Sequence, residues 1–139
     1  MEKNTQTNGL ARGGKKNILV VSAAYSLHGT PIAGNMEKEW SSKTSPSVQS
    51  HFNNIGFDFI LEEPEKSLLK LRQTLHDQPW DGILVGWCIR GMSVDRTEIF
   101  EGVMNEVVDA AREQQELKAM FCRGPTDLVE ATLRNFPVQ

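Results

Sequence analysis

No apolar run in this sequence approaches the roughly 20 residues needed to span a bilayer, so no membrane partner is expected. Positive charge is not in excess either. Fifteen Lys and Arg face eighteen Asp and Glu, a net charge of −3, and this lacks the basic footprint of non-specific nucleic-acid binding. Cysteine is scarce: only Cys88 and Cys122 are present, without a Cys-x-x-Cys motif. With three scattered histidines they lack zinc-ligand spacing, and no metal is expected. The amino end, Met1 to Lys16, is polar, lacks the apolar stretch of a secretory signal and carries the acidic Glu2. These features imply a cytoplasmic protein with free thiols.

Nucleotide signatures are missing as well. The first loop reads Ser22-Ala23-Ala24-Tyr25-Ser26-Leu27-His28-Gly29, with neither a G-x-G-x-x-G nor a Walker A sequence. Ser22, Ser26, Gly29 and Thr30 imitate a flavodoxin phosphate loop only loosely. The expectation is therefore no organic cofactor, with FMN as the alternative.

What remains reads as one tail, residues 1–16, and one α/β domain, residues 17–139. Residues 17 to 24 form a continuous apolar run, the mark of a strand buried on both faces. The next stretch, 25 to 47, reads as a long connection holding the amphipathic fragment Met36 to Trp40. Val48, Phe52 and Ile55 then follow helical spacing, with Gly56 as the stop. A second strand is expected at 57–61, a helix from Pro64 with Leu68, Leu71 and Leu75 inward, and a third strand at 83–89. Asp95 and Glu98 have capping-box spacing for a helix running to about residue 115, with Ile99, Val103, Val107 and Ala110 inward. A fourth strand is expected at 118–122, then a last helix capped by Thr126. Such alternation means parallel strands joined by right-handed crossovers. The expected fold is a three-layer α/β sandwich with a four-stranded parallel sheet in order 2-1-3-4, flavodoxin- or Rossmann-like.

Two strand ends carry similar signatures: Trp87-Cys88-Ile89-Arg90-Gly91 and Cys122-Arg123-Gly124-Pro125-Thr126-Asp127. In open α/β sheets the carboxyl rim of the strands is where ligands bind. This rim would gather Ser22, Tyr25, Ser26 and His28 from the first loop and Glu62 and Glu63 from the second. Trp87, Cys88, Arg90, Gly91 and Met92 would come from the third, and Cys122, Arg123, Thr126 and Asp127 from the fourth. Arginine suits an oxyanion by its planar fork, or it pairs with a carboxylate such as Asp95 or Asp127. Cys88 is either a nucleophile or an inert packed thiol. His28 is either an acid–base group or a solvated surface residue. Tyr25 would donate a proton, stack on a ring or simply cover the sheet edge.

Residues 17–137 resemble a group of small single-domain flavodoxin-like α/β proteins found mainly in fungi. The resemblance rests on Asp81-Gly82-Ile83-Leu84-Val85-Gly86, Ile89-Arg90-Gly91, Phe100 to Val107 and Gly124 to Ala131. More locally, Asp81 to Val107 is similar to lumazine synthase at Ile89-Arg90-Gly91 and Asn105-Glu106-Val107. The chain departs from that enzyme at Glu62-Glu63-Pro64-Glu65, and it has Ser93-Val94-Asp95 where a histidine follows Arg-Gly. The activity is not carried over.

The functional expectation is a cofactor-independent enzyme of isomerase, cyclase or lyase type, acting on an anionic or carbonyl-bearing small molecule. Tyr25 or His28 would move protons, Arg90 and Arg123 would hold oxygen, Cys88 would sit beside the substrate, and the first connection would act as a lid. The alternatives are a flavin- or nucleotide-binding module and a scaffold that assembles as a homo-oligomer.

Overall fold

A computed structural model describes residues 14–91 and 93–138. Of the expected tail over 1–16, residues 1–13 lie outside this range, as does Met92 of the rim. The elements run β1 (Lys16–Ser22), α1 (Ala24–His28), α2 (Ile32–Lys43), α3 (Pro46–Gln49), β2 (Phe52–Asp58), α4 (Pro64–Asp77), β3 (Gly82–Val85), α5 (Trp87–Arg90), a 3₁₀ turn (Val94–Arg96), α6 (Thr97–Ala111), β4 (Lys118–Phe121) and α7 (Leu128–Asn135).

The strands form one parallel sheet in the expected order β2-β1-β3-β4. Successive side chains of a strand alternate between faces, and each face carries its own core. Ile18, Val20, Leu84 and Met120 pack under α2 and α7. Leu19, Val21, Ile83 and Val85 pack under α4 and α6 with Leu71, Leu75, Val103 and Val107. Residues Ile18 to Val21 are almost wholly removed from water. Each contributes about 1.5–3 kcal/mol of burial, so β1 anchors both layers.

The first connection is not a long loop. It folds as α1, α2 and α3, and α2 buries Ile32, Met36 and Trp40, four residues apart on one face. Its first turn is held from outside by a hydrogen bond from Ile32 N–H to Asp58 Oδ1 at 2.9 Å. The helix expected around Phe52 and Ile55 is a strand instead. In a strand these two residues point to opposite faces: Phe52 meets Trp40 at 5.2 Å between ring centroids, and Ile55 packs into the other core. Seven residue pairs with β1, from Lys16 with Phe52 to Ser22 with Asp58, override the local helical spacing. Gly56 is therefore mid-strand and not a helix stop. A Cβ there would lie 2.6 Å from Ile32 Cγ2, so glycine lets α2 lie down on the sheet.

Three further boundaries move. Strand three ends at Val85, and Trp87 to Arg90 turn as one helical turn. Helix α6 begins at Thr97, with Ser93 Oγ accepting the Asp95 N–H at 3.2 Å, so Asp95 and Glu98 do not form a box at its start. Helix α7 begins at Leu128 with Asp127 preceding it, so Thr126 is not its cap. The Leu128 N–H instead donates to the Glu39 carboxylate of α2 at 3.1 Å.

Candidate functional site

Strands β1 and β3 lie side by side until Gly86, whose N–H donates to Val21 O at 2.8 Å. A Cβ on Gly86 would stand 3.0 Å from that same oxygen, so the two strand ends meet closely here. Past this point they diverge: β1 leads into α1 and β3 into α5. The opening is a cavity of about 550 Å³, in the size range of small-molecule sites, at the switch point of the sheet. Ala24, Ile32, Trp87, Pro125 and Leu128 supply apolar wall; Ser22, His28, Lys38, Cys88 and Thr126 supply polar groups.

Cys88 is held at the inner end. Its sulfur accepts the Ala23 N–H at 3.3 Å and lies 3.7 Å from Ser22 Oγ. Ser22 Oγ in turn accepts the Ala24 N–H at 3.0 Å. The amides directly after β1 are thus already engaged by side chains. A phosphate cradle of the FMN kind needs such amides free, so this turn is a poor fit for a flavin phosphate. Cys122 also lines the cavity but is buried. Burial above all, with the negative charges of Asp127 and Glu39, pushes its thiol up from 9.0 to about 12. It is a neutral packed thiol at ordinary pH.

The cavity mouth is clamped. Glu39 accepts from Leu128 N–H and from Lys43 at 3.5 Å. Lys43 also reaches Thr126 O at 2.7 Å and Glu130 at 3.1 Å. Its own burial opposes the charge, but Glu130 and Glu39 outweigh that and raise its pKa. Helix α2 is in this way tied to the loop before α7. Lys38, one residue before Glu39, is exposed, makes no ion pair among the described residues and lines the cavity.

The expected site residues separate into three groups. Ser22, His28, Trp87, Cys88 and Thr126 line the cavity. Tyr25 does not: α1 turns it outward, 46% exposed. Ser26 does not either, because its hydroxyl accepts the Leu61 N–H at 2.9 Å and donates to Glu62 at 3.1 Å, bracing the loop after β2. Glu62 and Glu63 stay with that loop and the start of α4.

Arg90 and Arg123 form the third group, and neither faces Cys88 across the crevice. In an extended strand Cys88 and Arg90 would share a face. On a helical turn they point about 200° apart, so α5 sends Cys88 back to β1 and Arg90 out to β4. There Arg90 donates Nε and Nη2 to Cys122 O at 3.2 and 3.0 Å and lies 5.5 Å over the Trp87 ring. Gly91 ends the turn against that ring. Arg90 is thus not paired with Asp95. Arg123 stands beside it in a separate open groove. Asp127 accepts the Arg123 N–H at 2.8 Å and pairs with Arg134 at 3.2 Å. Burial works to raise the Asp127 pKa, yet these two partners bring it below its ordinary value.

Sequence reasoning missed Asn35, Lys38, Glu39 and Ser42, the polar face of α2 along the cavity, and Arg134 in the groove. The three- and four-residue spacing from Ile32 through Asn35 and Glu39 to Ser42 was a readable helical stripe. It was hidden by Pro31 and Gly34, which suggest a loop.

Compared with known proteins, the chain matches no family model, and no curated protein matches it. Among the described residues no helix is long and apolar enough to cross a membrane.

Proposed function

We propose that the protein is a cytoplasmic, cofactor-independent enzyme of isomerase, cyclase or lyase type, whose substrate is a small carbonyl-bearing or anionic molecule held in the switch-point cavity. The observation that carries this reading is the cavity itself. Apolar walls enclose a small molecule, while a thiol fixed by the Ala23 N–H and an imidazole are placed around it. Trp87, Ile32 and Leu128 take the carbon body and exclude water from it. The Lys38 ammonium and the Thr126 hydroxyl hold or polarise oxygen. His28 takes a proton from the carbon next to the carbonyl and hands it to the carbonyl oxygen, forming the enol, and the reverse transfer restores the carbonyl, so the keto–enol isomerisation balances. Cys88 and the Ser22 hydroxyl border the reacting carbon. Arg90 and Arg123, outside the cavity, have no part in this step.

The test is proton exchange in D₂O, followed by NMR over a panel of 2-oxo acids and small ketones. Wild-type protein should exchange protons next to the carbonyl of at least one compound. His28→Ala should lower that rate by about 10² or more, the usual weight of a positioned acid–base group. No exchange with any compound, or exchange unchanged in both His28→Ala and Cys88→Ala, would sink the reading. The second reading is an FMN-binding module: Trp87 on the cavity wall offers a ring to stack on, against the engaged amides after β1, and a flavin titration separates the two, since bound, quenched flavin favours the module.

A further inference from the structure

The groove that receives Arg90 and Arg123 is distinct from the cavity and lies on the other side of Trp87 and Cys122. It has a volume of about 480 Å³ and runs along β4, with Arg90, Arg123 and Arg134 around it and Phe100 and Phe121 in its wall. Three guanidinium groups this close repel one another, and in most folds carboxylates offset such repulsion. Here Asp127 is the one carboxylate bonded to any of the three among the described residues. Three positive charges against one negative leave a local excess of two.

The guanidinium groups are also fixed in place. Arg90 is held by two hydrogen bonds to Cys122 O. Arg134 donates to Phe121 O at 3.1 Å as well as to Asp127. Main-chain carbonyls orient a guanidinium without neutralising it, and each arginine has five N–H donors, so both retain donors for a ligand. Arg123 has its main-chain N–H on Asp127, and its side chain bonds to no described residue. Beside these charges, Phe100 and Phe121 meet edge to face at 6.0 Å between ring centroids, and both are only partly buried. The groove therefore offers preorganised positive charge next to aromatic surface.

We propose that this groove is a second ligand site, taking a phosphate monoester borne on an aromatic or heterocyclic ring. A phosphate monoester carries a charge near −2 at neutral pH, which matches the local excess, and its oxygens suit the guanidinium fork. The ring lies on the Phe100 and Phe121 surface. A single carboxylate on the same ring matches only half the charge. The site is independent of the cavity reading and stands or falls without it.

The experiment is a titration of the full chain at low ionic strength with phenyl phosphate, inorganic phosphate and benzoate, read by calorimetry and by side-chain NMR of the arginines. Phenyl phosphate should bind best, inorganic phosphate should lose the ring contribution, and benzoate should bind weakest. Arg123→Ala, a surface change that leaves the fold intact, should weaken phenyl phosphate by about tenfold or more, as should added salt. Phe100→Leu should narrow the gap between phenyl and inorganic phosphate, and Lys38→Ala, in the cavity, should leave the affinity for phenyl phosphate as it is. No saturation by phenyl phosphate up to about 10 mM, or equal affinity in wild type and Arg123→Ala, overturns the proposal. Benzoate binding as tightly as phenyl phosphate overturns its phosphate assignment.

Discussion

The cavity and the groove share a wall, the Trp87 and Cys122 segment, yet they are built on opposite physical terms. In the cavity several of the polar groups are engaged within the protein. Glu39 is bonded to Lys43 and the Leu128 N–H, and the Cys88 sulfur to the Ala23 N–H; the walls are mainly apolar. Such a space acts by excluding water and fixing orientation. In the groove the charges are open to solvent, and among the described residues Arg134 alone of the three arginines is ion-paired to a carboxylate. It acts by attraction that salt screens. The lesson is that the two cysteine- and arginine-bearing strand ends, alike in sequence, serve two unlike surfaces. Their cysteines face one and their arginines the other.

The largest effect that tests this division is on the thiols. With its pKa pushed to about 12, Cys122 should have about a thousandfold less thiolate than an ordinary free cysteine near neutral pH. Alkylation of the native protein followed by mass spectrometry should therefore modify Cys88 alone. Labelling of Cys122 at the rate of a free thiol would mean that the shared wall is open. The same thiol sets a pH dependence. Its folded pKa is raised above the unfolded 9.0, so its contribution is fully present below pH 9.0 and is lost as pH rises towards about 12. Cys122→Ala should remove that part of the alkaline loss, measured by urea unfolding between pH 8 and 11.

A smaller effect separates the cavity's outer wall from the groove. Gly56→Val places its Cβ against Ile32 and Met36 and should cost about 1–3 kcal/mol of unfolding free energy, as overpacking does. Helix α2 would lift, so cavity binding should weaken while phenyl phosphate binding in the groove persists. Equal loss at both sites would show that they are one unit. The smallest effect concerns the clamp. Glu39→Ala removes the acceptor of the Leu128 N–H and should cost about 1 kcal/mol, the usual weight of a helix cap, read from the urea midpoint. Loss much below that would mean that water replaces the carboxylate.

Legibility follows how local each cause is. Ile18 to Val21 read as a doubly buried strand because every residue there is apolar, and the structure buries all four. Leu71, Leu75, Val103 and Val107 kept helical spacing with no competing partner, and they are inward as expected. The second strand, expected at 57–61, runs Phe52–Asp58; its first five residues were unreadable because Asn53, Asn54 and Gly56 carry little strand preference. Pairing with β1 along the whole segment supplies what the local sequence lacks. Helix α2 was half-legible: Met36 and Trp40 showed its inward stripe, but the Asp58 carboxylate that holds its first turn is 26 residues away.

By itself, then, the sequence determined the alternation of strands and helices, the parallel sheet and its order, because apolar runs and short connections leave few other ways to bury both faces. It also placed the candidate chemistry at the carboxyl rim. Only the tertiary structure decided which rim residues meet. One helical turn in place of four more strand residues rotates Arg90 away from Cys88, and Gly86 bonding to Val21 O and Cys122 O receiving the arginine hold that turn. A hydrogen bond between distant strands carries no mark in the local pattern, and so the split between cavity and groove became visible only in the folded chain.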